Sequence, residues 1–379
     1  MSWALAAGDQ DQRSPLRGIR VLDFSTLLPG PYATQILADL GADVVKLESP
    51  RGDEARRFAN GMYAVANRNK RAVVADLTND DERAATLALA AEADVVVEGF
   101  RPGVVDRLGV GYEDVRKVRP DVIYCSITGF GQNGPNRDKP GHDISYLAAS
   151  GGLAYSAHWQ QGPRRSGVPI ADLAGASFAT IAILAALRER DRDGSGCHLD
   201  VSIADATMAF ASPRGGPSFS VGDEERLSVY PTNDLFAAAD GAVLAVAAVE
   251  EKFWAALRSI LAEYEPELAD HRFDDEGGRR RHGDELQALL GRAFCRRDAA
   301  EWEQAFAASD VSVERVLSLA EAAHGPQARS RGVVATLGGE EQVVFPVLRD
   351  GSVMGSFRSP APAHGQHSEG LFGGPGRDA

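Results

Sequence analysis

Two side chains far apart in this sequence could do chemistry as a pair: the imidazole of His142 and the carboxylate of Asp172. An imidazole accepts and returns a proton near neutral pH. A carboxylate can serve as a base or, against an acyl carbon, as a nucleophile. Both sit in one run, KPGHDISYLAASGGLAYSAHWQQGPRRSGVPIADLAGA, at 139–176. Its Pro140-Gly141 turn delivers His142 and Asp143, and the extended Val168-Pro169-Ile170-Ala171 delivers Asp172. Asp172 is expected to cap the helix LAGASFATIAILAALRER, which stops at the polar DRDGSG. Capping alone is reason enough for an aspartate there, because it satisfies orphan N–H groups at the positive end of the dipole. A lone histidine is also commonly a satisfied polar residue, so the pair acquires chemical meaning only from its surroundings.

The elements that must position the pair are predicted to be α/β. Residues 20–24 (RVLDF) form a strand, Pro29-Gly30-Pro31 interrupts the chain, and helix YATQILADL runs to Gly41. A strand at 43–47 follows at once, and such short strand–helix–strand links belong to a parallel sheet. The alternation continues with strands at 72–75, 94–97 and 121–127 and helices at 82–91 and 104–118. After the long helix come an alternating strand, CHLDVSI, and a further helix from 204. This is a Rossmann-like large domain, assigned to 1–211 and completed by 325–379. The Gly-, Pro- and Ser-rich 212–228 is the linker to a smaller α/β domain at 229–324. In that domain NDLFAAADGAVLAVAAV reads as two strands joined at Asp240-Gly241, with helices at 251–261, 284–294 and 299–308.

Gly129-Phe130-Gly131-Gln132-Asn133-Gly134 matches the GxGxxG dinucleotide pattern after a strand, but Pro135 and NRDKPG follow. The pattern needs a helix N-terminus there to meet a pyrophosphate, so a nicotinamide or flavin is not expected. Close approach of the loop to another ligand, at Gly129 and Gly131, is.

Composition narrows the classes further. The 379 residues suffice for two domains, and 44% hydrophobic with 25% charged residues is ordinary globular usage. Three cysteines, Cys125, Cys197 and Cys295, show no CxxC or metal spacing, so no metal is expected and a reduced, cytoplasmic setting is. No secretion signal is expected, nor any apolar run of the roughly 20 residues that span a bilayer. A net charge of −14 argues against nucleic acid, while leaving room for local basic patches such as Arg68-Asn69-Lys70-Arg71.

Beyond these readings, the chain resembles the family III CoA-transferases and their relatives the α-methylacyl-CoA racemases, over about 16–370. The carrying motifs are LPGPYATQILADLGADVVKLESPRGD, NRNKRAVVADL, VEGFRPGVVDRLGVGYEDV, ITGFGQNGP, GHDISY, ADLAG, DVSIADA and AVEEKFW. The resemblance implies a Rossmann-like domain, a smaller domain and a homodimer of two chains threaded as interlocked rings. It implies an acyl-CoA thioester substrate, with coenzyme A part of that substrate and no tightly bound cofactor. By match, Arg68, Lys70, Arg71 and Arg101 would meet the nucleotide phosphates, with Lys46 a further candidate; guanidinium forks suit such groups.

Within the resemblance two chemistries diverge. Transferases use the aspartate matching Asp172 as a covalent nucleophile. Racemases use it as a base opposite a histidine, and GHDISY resembles the racemase form, with Glu250 of AVEEKFW matching the histidine's partner. The expected activity is therefore an acyl-CoA racemase or epimerase inverting the α-carbon of a 2-methylacyl-CoA. His142 and Asp172 would flank the carbon, Glu250 would orient the imidazole, and backbone N–H groups such as that of Asp143 would hold the enolate oxygen. The alternative is a CoA-transferase with an aspartyl intermediate at Asp172.

Overall fold

Short runs of four to six residues become strands, most of them buried on both faces, as in parallel sheets covered by helices. They are β1 Arg20–Asp23, β2 Asp43–Glu48, β3 Lys70–Val74, β4 Val95–Glu98, β5 Ile123–Thr128 and β6 Cys197–Ser202. In this computed structural model, which describes residues 14–58, 61–154, 158–159, 164–215, 229–337 and 339–369, they form one parallel sheet in the order β3-β2-β1-β4-β5-β6. The order reverses between β1 and β4. Ligands of open α/β sheets bind at the carboxyl ends of the strands at such a reversal.

The helices of this sheet are α1 Pro29–Asp39, α2 Met62–Ala66, α3 Asp80–Ala90, α4 Val104–Arg107, α5 Tyr112–Val118, α6 Asp143–Ala149, α7 Ile170–Asp193 and α8 Ile203–Gly215. Helices α2 and α6 are not among the expected elements, and three other expectations differ from the structure. Pro29-Gly30-Pro31 is the first turn of α1, not an interruption, because the first turn has no use for the missing proline N–H. The helix expected at 104–118 is two, split where Gly109 takes φ +71°. The α7 helix begins at Ile170, so Asp172 lies inside its first turn and Pro169 is the cap residue. That helix ends where Gly194 takes φ +75°. By length and composition α7 could cross a membrane, contrary to the expectation that no such run exists; half of the stretch is buried, and it packs on α1, β5 and β6.

Chain contacts divide the protein into two compact units, Met1–Ser150 with Gly167–Phe210 and Ala323–Ala379, and Gly151–Ser166 with Ala211–Ala322. The second holds an antiparallel sheet of β7 Asn233–Ala237, β8 Val243–Ala247 and β9 Ser312–Arg315. Helices α9 Glu251–Leu261, α10 Glu276–Arg281, α11 Gly283–Phe294 and α12 Ala299–Phe306 enclose a core that includes Trp254, Phe273, Phe294 and Trp302.

In the first unit the C-terminal segment returns to the open edge of β3. His367 N donates to Ala72 O at 2.9 Å, Ala72 N to His367 Nδ1 at 3.1 Å, and Val74 N to Ser368 Oγ at 3.0 Å. An edge strand left bare would template unwanted pairing, and this segment covers it.

Candidate active site

The turn after Pro140 leads into the short helix α6, headed by His142 in extended conformation (φ −135°, ψ 173°). Asp143, the next residue, is buried at 3% exposure. Its Oδ1 accepts the backbone N–H of Ala171 at 2.8 Å and of Asp172 at 3.4 Å. Capping of α7 is thus supplied by a side chain from another helix. This places the His142-Asp143 segment against the first turn of α7, where the half-buried Asp172 carboxylate lies at the positive end of a 24-residue helix. His142 is exposed.

Tyr146 is the residue that pattern reading missed. It follows His142 by one helical turn, and its backbone N–H donates to His142 O at 3.2 Å. The ring is buried and held between two glycines: a Cβ on Gly129 would lie 2.4 Å from Cε1, and one on Gly141 2.5 Å from it. Phe130 meets the ring edge-on at 5.4 Å. Burial raises the phenol's pKa, the negative charge of Asp172 raises it further, and Arg101 opposes both. The i, i+3 spacing of Asp143 and Tyr146 inside GHDISY was the available signal, since it puts both side chains on one helix face.

The glycine loop acquires a different meaning from the one expected of it. The close approach that Gly129 permits is that of Tyr146, and Gly131 takes φ +83° in a turn whose Gln132 N–H donates to Asp200 at 3.0 Å. No helix starts before Asp143, as the dinucleotide argument anticipated.

The expected phosphate cations require a larger correction. Lys46 is fully buried, ion-paired with Asp53 at 2.9 Å, and donates to Ser25 O at 2.7 Å. Lys70, also fully buried, pairs with Asp23 at 3.0 Å and donates to Pro31 O, Thr34 and Asn67. Arg68 is 3% exposed and forms a fork on Asp39. These charges sit on inward-facing positions and are spent on internal carboxylates, because a buried charge without a partner is prohibitively costly. Burial would raise the Asp23 carboxyl, but Lys70, Lys46 and the hydroxyls of Ser25 and Thr34 outweigh it and hold it at about 2. Burial likewise pulls Lys70 down to about 8 despite Asp23. Arg71 is less enclosed and pairs with Asp43 at 2.7 Å. Arg101 is exposed, in the turn after β4 beside the reversal of strand order.

That turn is anchored by Glu98, whose Oε2 accepts the Phe100 N–H at 2.7 Å. Glu98 is 1% exposed, and burial lifts its carboxyl to about 7 against the hydrogen bonds from Ser126 and Phe100.

Glu250, the expected partner of the imidazole, belongs to the second unit. It is exposed and heads α9, its carbonyl accepting the N–H groups of Phe253 and Trp254. Among the described residues no cluster of histidine, cysteine and carboxylates could hold a metal ion.

Comparison with known proteins decides the family. The model of CoA-transferase family III matches residues 16–368. The chain belongs to CoA-transferase family III. Acetyl-CoA:oxalate CoA-transferase of Acetobacter aceti is 35% identical over 344 residues, covering 86% of this chain and 87% of that one. Succinyl-CoA:glutarate CoA-transferase of Mus musculus is 32% identical over 95% of this chain and 86% of its own. Among solved structures, a CAIB/BAIF family protein from Brucella suis superposes with a TM-score of 0.84 at 27% identity, over 96% of this chain and 99% of that chain. These relatives' names are transferase names, which favours the CoA-transferase alternative over the racemase expected first.

Proposed function

We propose that this protein is a CoA-transferase that moves coenzyme A between carboxylic acids through an acyl link to Asp172. The observation that carries the reading is the Asp143 cap, which fixes the backbone of Asp172 at the head of α7 with its carboxylate half-exposed.

In this reading a carboxylate oxygen of Asp172 attacks the thioester carbonyl carbon, forming a C–O bond as the C=O pair moves onto oxygen. Collapse breaks the C–S bond and releases the thiolate of coenzyme A, leaving a mixed anhydride on Asp172. The thiolate attacks the Asp172 side of that anhydride, releasing the first acid and leaving an aspartyl thioester. A second acid's carboxylate attacks that thioester and expels the thiolate, which returns to the incoming acyl carbon. The new acyl-CoA leaves, and Asp172 is a carboxylate again. The steps need no external oxidant or base.

Relatives whose names cite oxalate, succinate and glutarate support short dicarboxylates as partners. Arg101, exposed beside the strand-order reversal, is the cation best placed for an anionic part of the substrate. Exposed Ile181, Met208 and Phe210 on α7 and α8 support pairing with a second copy.

The test is to mix the protein with an acyl-CoA and no acceptor and analyse its peptides by mass. An acyl or CoA adduct confined to the peptide containing Asp172, absent in Asp172→Asn, supports the reading; turnover by Asp172→Asn overturns it. His142 keeps one other reading in play, inversion at an α-carbon. Exchange of the α-hydrogen of a 2-methylacyl-CoA in D₂O without any acceptor acid, lost in His142→Ala, would favour it.

A further inference from the structure

We propose that Tyr146 is a catalytic residue of the same site, its phenol donating a hydrogen bond to the carbonyl oxygen of the acyl group while that group is attacked by Asp172. This rests on Asp172 as the nucleophile and adds the donor that the attack requires. A tetrahedral oxyanion forms in that step, and a neutral, preplaced donor stabilises it without reorganising.

Three observations carry the inference. The first is direction. Tyr146 lies three residues beyond Asp143, the residue bonded to the first turn of α7, so the two buried side chains share one face of α6, the helix that packs against α7. The second is rigidity. Gly129 and Gly141 both leave room that any side chain would fill, and the ring occupies it with Phe130 against its edge. Two backbone segments without Cβ atoms hold one ring, which therefore presents its hydroxyl from a fixed position. The third is separation. Asp172 acts on the phenol through its charge, yet Tyr146 Oη has no hydrogen bond among the described residues. A phenol carried by the helix that holds the first turn of α7, and bonded to none of the described residues, has its proton available for an acyl oxygen brought to Asp172. The pull of Asp172 and of burial also keeps the phenol protonated, as a donor must be; Asp172 and Arg101 are the charged groups acting on it.

His142 is exposed at the head of the same helix, and the buried ammoniums of Lys46 and Lys70 are spent on Asp53 and Asp23.

The experiment compares wild type with Tyr146→Phe, which keeps the ring between its glycines and removes only the hydroxyl. Single-turnover formation of the Asp172 adduct should slow about 100-fold or more, the usual consequence of losing one oxyanion donor. KM for the acyl-CoA should stay within about 3-fold and the melting temperature unchanged, since ground-state binding does not use the bond. An unchanged adduct rate, or a loss confined to KM, overturns the inference. Should Tyr146→Phe fold poorly, a ring-fluorinated tyrosine at 146 keeps the shape and loses its proton at lower pH. Adduct formation should then fall off at a lower pH than in wild type, and an unmoved profile overturns the proposal. If Asp172→Asn still turns over, the nucleophile reading fails first. If Asp172→Asn is dead while Tyr146→Phe is as fast as wild type, only the role of Tyr146 fails.

Discussion

The carboxylate of Asp143 receives the backbone N–H of Asp172 at 3.4 Å, alongside that of Ala171 at 2.8 Å, so one aspartate holds the helix end on which the other works. Asp143→Ala removes this cap and should cost about 1–2 kcal/mol of stability, the upper part of the range for a lost N-cap. It should also depress kcat, because the first turn of α7 loses its fixed position. Asp143→Asn keeps an acceptor oxygen and should restore most of the stability. Urea denaturation and initial rates on the three proteins check this.

Gly129 is predicted to matter through Tyr146. A methyl group at 129 would have to lie 2.4 Å from Cε1 and 2.7 Å from Cζ of that ring. Gly129→Ala should therefore destabilise by about 1–3 kcal/mol through overpacking and lower kcat by displacing the hydroxyl. Thermal melts with rate measurements on the soluble fraction report both effects.

Glu98 gives a pH signature. Its carboxyl titrates at about 7 in the folded protein, against 4.5 for an ordinary glutamate side chain. Between those values the native state keeps a proton that the unfolded chain has released. This contribution is fully present below about 4.5 and is lost as pH rises through about 7. Glu98→Gln keeps an acceptor for the Phe100 N–H but carries no charge. Relative to wild type it should gain on the order of 2–3 kcal/mol between pH 4.5 and 8, measured by urea denaturation at several pH values. A variant whose stability tracks wild type across that window would contradict the burial argument.

Asn69 joins the C-terminal segment to the sheet and carries φ +62°. Its amide donates to Asp39 at 2.7 Å and to Ser356 O at 2.8 Å, and its oxygen accepts from Arg358 N and Ser359 N. Asn69→Ala forfeits these bonds in a conformation that alanine tolerates poorly, and should cost roughly 2–4 kcal/mol. Asn69→Gly relieves the backbone strain and should lose less. The difference between the two midpoints in urea isolates the strain.

Much of this architecture is legible in the sequence because most of these parallel strands are buried on both faces and announce themselves as short, largely apolar runs. The alternation of the six strands with α1, α3 and α7 emerges from such runs, whereas α2 and α6 do not, and α4 and α5 read as one helix. The failures have specific causes. The NRNKR stretch resembles a phosphate patch because charge reads as exposure in one dimension, whereas Lys70 alternates inward on β3 and meets Asp23, a residue far away in sequence. Local pattern makes Asp172 the cap of α7, but the cap comes from Asp143 across space, which no local pattern encodes. The short α6 escapes such a reading because seven residues after a Pro-Gly turn carry too little periodicity. His142 and Asp172 stand out because both their types and their flanking turns are unusual. The choice between their chemistries depends on membership of CoA-transferase family III and the names of relatives.

The most direct test of the account is to follow acyl-CoA consumption and adduct formation in wild type, Asp172→Asn and His142→Ala, with a short dicarboxylic acid as acceptor. The account predicts an adduct on the peptide bearing Asp172 in wild type and His142→Ala, with CoA passing to the acceptor, and neither event in Asp172→Asn. Transfer that persists in Asp172→Asn without an adduct would contradict it.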